Sequence, residues 1–197
     1  MRKRVLSPKV EALYRAVMEL VLEGREIREL KVSEITERAG IGKGTVYEYF
    51  DSREELLLSA LRYLRQEWAE NLRGELSRLD GFMGKIGGLF DQTESALGKI
   101  KREALKEVYE IFFFSPAFQS EKCCGMAGQI YCIVDEGRRG GVLRKELPDE
   151  YIALALKGKI IDYALYCGGM GDCAPGKCTS AQIRKYLLDS IRMEFLA

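Results

Sequence analysis

Histidine is absent from this 197-residue sequence. Its absence removes the commonest general base, the usual hydrolytic triads and any mixed Cys–His zinc site. A phosphate-cradling glycine loop of the Walker or dinucleotide type is missing too. Acidic residues lie mainly on helical faces beside basic ones, as Glu103 and Lys106 do, which is how solvated helix surfaces look. No enzyme is expected, and no cofactor. Long apolar runs are scarce: the richest, Ile111-Phe112-Phe113-Phe114, is cut short by Ser115-Pro116, so no membrane span is expected. Near the start, Glu11, Arg15, Glu19 and Glu23 recur at helical spacing and break any signal-peptide pattern, which predicts a cytoplasmic protein. Charge of either sign is not in excess, with 31 Lys and Arg against 30 Asp and Glu. Near-neutrality does not advertise a nucleic-acid binder, yet such a protein needs only a local basic stripe. Arg2-Lys3-Arg4, Lys9, Lys43 and Arg53 are candidates for one, although the first three are equally a solvated chain start.

What is present is helical patterning. Apolar residues make up 47% of the chain, which excludes disordered and fibrous classes, and strand alternation is hard to find. Ser7-Pro8 is a helix start, and Val10, Leu13, Tyr14, Val17, Leu20 and Val21 form a 3.6-period stripe that Gly24 ends. A short helix follows, with Ser33 as its expected N-cap and Ile35 and Ala39 on one face. Gly40 is placed where a left-handed residue would end that helix, with Ile41 plugging the corner. In the helix expected next, Val46 and Phe50 fall four apart on the inward face. Lys43, Gly44, Tyr47 and Glu48 project outward, flanked by Thr45 and Tyr49. A cation, a glycine, a hydroxyl and two phenols suit contacts with phosphates and base edges. Downstream, Ser52-Arg53-Glu54-Glu55 is a capping box opening a long helix through Leu57, Leu61, Leu64, Trp68, Leu72, Leu76 and Leu79.

Residues 32 to 57 resemble the DNA-binding signature of the TetR (tetracycline-repressor) family of bacterial transcriptional regulators. Val32, Ile35, Ala39-Gly40-Ile41, Gly44-Thr45-Val46-Tyr47, Tyr49-Phe50 and Ser52-Arg53-Glu54-Glu55-Leu56-Leu57 carry the likeness. The stretch Arg25-Glu26-Ile27-Arg28-Glu29-Leu30-Lys31 departs from it, being charged where such proteins carry a glycine-aromatic and a Ser/Thr-rich stretch. The resemblance and the helical patterning together imply an all-α chain. Residues 1–52 would be a three-helix helix-turn-helix head, joined by a long helix to an effector-binding and dimerisation body over 53–197. The expected partners are a double-stranded DNA operator, a second copy of the chain and an unidentified small-molecule effector. The expected DNA contacts are Lys43 on a base, Gly44 for close backbone approach, Thr45, Tyr47 and Tyr49 on phosphates, and Ser33 and Arg53 on phosphates at helix starts. Tyr49 reads nearly as well as a core tyrosine with an exposed hydroxyl.

The rest of the chain carries helical spacing near 82–97, 101–115, 118–138, 149–167 and 180–196. Leu154, Ile161, Leu165, Ile183, Leu187, Ile191 and Phe195 are more apolar residues than one small body needs and fit the dimer that the resemblance implies, or else fill the monomer's own core. Phe90, Tyr109, Phe113, Met126 and Tyr131 are the candidate lining of an effector pocket, although aromatics at this spacing are usually core. All six cysteines lie after residue 120, and Cys167, Cys173 and Cys178 cluster near a glycine-rich loop. They support an alternative, a thiol-based metal or redox protein, against the simpler reading of reduced thiols. Lys177 beside them would favour a lowered thiol pKa.

Overall fold

The computed structural model describes residues 6–98, 107, 110, 126–169 and 178–197. The helices are α1 (Pro8–Leu22), α2 (Val32–Ala39), α3 (Lys43–Val46), α4 (Arg53–Leu76), α5 (Gly81–Leu97), α6 (Met126–Arg139), α7 (Asp149–Cys167) and α8 (Ser180–Phe195), with a 3-10 turn at Ile27–Glu29. Extended pairing among the described residues is confined to a bridge between Leu143 and Leu196. The fold is all-helical, as the patterning predicts. The expected helix segments 101–115 and the start of 118–138 fall outside the described residues, apart from Glu107 and Glu110.

Contacts group the chain into two compact units, Met1–Glu67 with Lys99–Ser120, and Trp68–Gly98 with Glu121–Ala197. The division falls inside α4 rather than at 52/53, because the first half of that helix supplies core to the head. Leu56, Leu57, Ala60 and Leu61 are buried with Leu13, Val17, Leu30, Ile35, Val46 and Phe50. Tyr14 closes this core from α1, its ring 6.0 Å from that of Phe50 and 5.2 Å from that of Tyr63. In the second unit α7 packs against α5, α6 and α8. Phe90 meets Tyr163 edge-on at 5.0 Å, and Ile86, Leu89, Ile130, Leu156, Ile160 and Phe195 are sealed around them. Ile191 and Phe195 are fully buried here, so these two fill the body's own core and are not free for a partner.

Local rules account for the element ends. Thr179 caps α8, its hydroxyl accepting from the Gln182 N–H while the Gln182 side chain accepts from the Thr179 N–H at 2.7 Å. The Arg138 guanidinium holds the α6–α7 connection, donating to the Asp149 carboxylate and to the carbonyls of Arg144 and Leu147. No helix among the described residues is long and apolar enough to cross a membrane.

Candidate nucleic-acid interface

The reading segment starts from a glycine that must turn left. Gly40 has φ of 65°, the region a side chain resists, and the Ile41 N–H closes the end of α2 by donating to the Thr36 carbonyl at 2.9 Å. The helix itself begins two residues earlier than its sequence suggests. Lys31, not Ser33, is the N-cap, because Val32 is drawn into the core and the Glu34 carboxylate accepts the Lys31 N–H at 3.0 Å. Ser33 therefore sits exposed in the first turn.

α3 is a single turn, Lys43–Val46, continued by turn bonds from Tyr49 and Phe50 to Val46, so the second helix is shorter than the apolar spacing suggests. The expected division of faces holds. Val46 is fully buried and Phe50 nearly so, whereas Lys43, Gly44 and Glu48 are exposed and Tyr47 and Tyr49 are 56% and 40% exposed. Thr45 lies half-buried between the faces. A Cβ added at Gly42 or Gly44 would meet nothing within 4 Å, so the backbone here is open to close approach. The Tyr49 hydroxyl is 3.3 Å from the Ser7 Oγ, which ties the end of the motif to the start of α1 and leaves much of the ring outside.

The head's arginines are held by carboxylates and carbonyls. Arg38 forks onto Glu23 and reaches Glu19, Arg15 pairs with Glu11, and Arg25 pairs with Glu34. Arg53 donates from Nε to the Leu30 carbonyl at 2.5 Å and from Nη2 to the Arg28 carbonyl, and it also meets Glu54. Its guanidinium is thus engaged inside the head, away from the phosphate role that sequence suggests. Lys9 and Lys43, by contrast, are exposed and form no ion pair among the described residues. A chain with formal charge +1 therefore still presents exposed cations in its N-terminal unit. Arg2-Lys3-Arg4 lies outside the described residues.

The described candidate residues of the body divide between core and surface. Phe90 is fully buried, Met126 packs against the same core, and Tyr131 is 53% exposed. Tyr131 instead lines a groove of about 130 Å³ with Ala127, Ile130, Ala153, Leu154 and Lys157. Tyr109 and Phe113 lie outside the described residues. Cys173 does as well, while Cys167 and Cys178 are half-buried free thiols. Burial and the Glu94 carboxylate push the Cys167 thiol up despite its contact with the Tyr163 hydroxyl, the opposite of an activated thiolate. Burial likewise pushes the Tyr163 phenol well up, helped by its bond to Glu94. No three His, Cys, Asp or Glu side chains gather as a metal site requires among the described residues.

Residues 20–60 match the family profile of the bacterial regulatory proteins, tetR family. No curated protein matches the sequence. Solved structures with the same fold include the fatty acid degradation regulator FadR of Bacillus halodurans, at 17% identity, TM-score 0.66 and coverage of 95% of this chain and 96% of that one. The transcriptional regulator FadR of Bacillus subtilis, solved in complex with stearoyl-CoA, is similar at 16% identity and TM-score 0.62, covering 92% of this chain and 96% of that one. A protein from Rhodococcus sp. described as a TetR-family transcriptional regulator aligns at 18% identity and TM-score 0.67, over 95% and 98% of the two chains.

Proposed function

We propose that this chain, whose residues 20–60 match the profile of the bacterial regulatory proteins, tetR family, is a DNA-binding transcriptional repressor that acts as a homodimer and is released by a small molecule. The observation that carries this is the outward face of α3 and the turn after it. There Lys43, Gly44, Tyr47 and Tyr49 are exposed over a core sealed by Val46 and Phe50. Lys43 reads a base edge, because an ammonium reaches guanine O6 or N7 in the major groove. Gly44 lets the backbone approach, and Ser33, Thr45, Tyr47 and Tyr49 bond phosphates. Arg53 contributes by holding the preceding turn.

Two heads read two half-sites when their spacing matches one helical turn of DNA, about 34–36 Å, or a small multiple. A second copy fits the faces of α7 and α8 left open by the monomer, where Leu154 is 70% and Met193 77% exposed. An effector held in the body shifts operator affinity tenfold if it favours one conformation by about 1.4 kcal/mol. The stearoyl-CoA bound by the similar Bacillus subtilis regulator supports a small-molecule input of that kind. This reading assigns a regulator, with no catalytic residue.

Selection from a random double-stranded DNA library tests the proposal, with a two-fold symmetric motif expected. Lys43→Ala is expected to alter the preference at one position per half-site by about 1–3 kcal/mol, whereas Tyr47→Phe weakens binding evenly across sequences. Enrichment of no sequence by the native chain overturns the function. Uniform loss from Lys43→Ala overturns its base-reading role.

A further inference from the structure

The turn that leads into the reading motif is held by a carboxylate about 80 residues away in sequence. Glu107 is 8% exposed and accepts the Ile27 N–H with one oxygen and the Arg28 N–H with the other, the second at 2.8 Å. The Arg28 side chain lies alongside, its Nε 3.5 Å from Glu107 and its Nη2 3.4 Å from Glu110. On the carbonyl side of the same turn, Arg53 takes the oxygens of Arg28 and Leu30. Glu107 therefore grips the turn by its donors and Arg53, the first residue of α4, grips it by its acceptors. Lys31, the next residue, caps α2.

A buried carboxylate is costly unless its lone pairs are satisfied, and two charge-assisted bonds to backbone N–H groups satisfy this one. The bulk of the head core is built by other residues: Leu13, Val17, Leu30, Ile35, Val46 and Leu56 are fully buried among α1 to α4. What Glu107 adds is a fixed register for the turn, and hence for the starts of α2 and α4, which flank α3 in the chain. Two arginines of the charged stretch at 25–31 are paired in this way, Arg25 with Glu34 and Arg28 with Glu107 and Glu110.

We propose that Glu107 is a positioning residue for DNA reading, acting through the Ile27–Glu29 turn and Arg53 on the helices that flank α3. This rests on the reading of the head as DNA-binding. The sign of its effect separates it from bulk charge. Removing a carboxylate from a protein that binds a polyanion strengthens binding by charge alone, whereas loss of positioning weakens it.

The test uses the full chain and the DNA sequence that the native protein selects from a random library. Amide hydrogen exchange is read at Ile27 and Arg28, and in the α1 core as a folding control. Glu107→Gln is expected to speed exchange at Ile27 and Arg28, to leave the α1 core protected, and to weaken DNA binding about tenfold. Glu107→Asp, which keeps the charge on a shorter arm, is expected to restore part of it. Unchanged or tighter DNA binding by a folded Glu107→Gln overturns the proposal, as does unchanged exchange at Ile27 and Arg28. If Glu107→Gln does not fold, Glu110→Gln decides by the same sign. It frees Arg28 at the half-exposed end of the contact, and weaker binding supports positioning while equal or tighter binding overturns it. A native chain that selects no sequence overturns the DNA-binding reading itself, a result distinguishable from failure of the variants alone.

Discussion

Gly40 and Gly137 both require glycine, for opposite reasons that one substitution separates. Gly40 needs a left-handed backbone in open space, so Gly40→Ala is expected to cost about 1 kcal/mol and Gly40→Asn less, since Asn tolerates that region. Gly137 has ordinary helical geometry, but a Cβ there would meet Phe82 at 2.8 Å and Leu143 at 3.1 Å, both buried. Overpacking costs about 1–3 kcal/mol against a helix-propensity gain of at most about 1, so Gly137→Ala is expected to destabilise the body and Gly137→Asn to do so further. Urea midpoints of the four variants check both. The first need was legible in sequence, because the glycine follows a helical stripe; the second was not, because a neighbouring helix causes it. The same contrast runs through the interface. Lys43, Gly44 and Tyr47 were legible, since the helical period sends Val46 and Phe50 inward. Arg53 was less legible, because the carbonyls of the 27–30 turn that engage it lie outside its own helix.

At the scale of elements, helix existence followed the apolar period closely in α1, α4, α5, α7 and α8. α3 is an exception, as one turn suffices once Val46 and Phe50 are anchored. The joint between α7 and α8 carries a prediction about pH. Burial alone would push the Glu194 carboxyl up, but the Tyr151 hydroxyl that donates to it at 2.7 Å and the Lys159 ammonium at 3.1 Å outweigh this and hold it below its ordinary value. A carboxyl lowered in the folded state contributes stability above its unfolded pKa and loses that contribution as pH falls through the folded value. Because the pair is partly solvated, the contribution is a few tenths to about 1 kcal/mol. Glu194→Gln is therefore expected to be less stable than the native chain at pH 7, with the difference shrinking as pH falls through the folded-state value of the carboxyl. Denaturant titrations across that range measure it, and a gap that persists in acid would rule out the ionic origin.

At the scale of the molecule, the proposed homodimer makes a surface substitution decisive. Leu154 touches little of its own chain, so Leu154→Asp is expected to preserve the circular dichroism spectrum and to yield monomers in sedimentation velocity. DNA binding should fall by at least about tenfold, since one head loses the second half-site. A dimer that survives the substitution, or a native chain that sediments as a monomer, sinks that assembly. Molecular scale is also where reading along the chain failed most. Glu107 is held against the head although sequence order places it amid the body, and Ile191 and Phe195 look like partner-facing residues until the body closes over them.

Sequence alone determined the helical class and which side chains of the 43–50 segment face outward, because these follow from periodicity and turn chemistry acting over a few residues. The tertiary structure decided which charges remain free, which glycine is crowded and which distant carboxylate secures the turn before α2. Those outcomes depend on distances between residues remote in sequence, as with Glu107 at Ile27 and Arg28, and no local pattern encodes them.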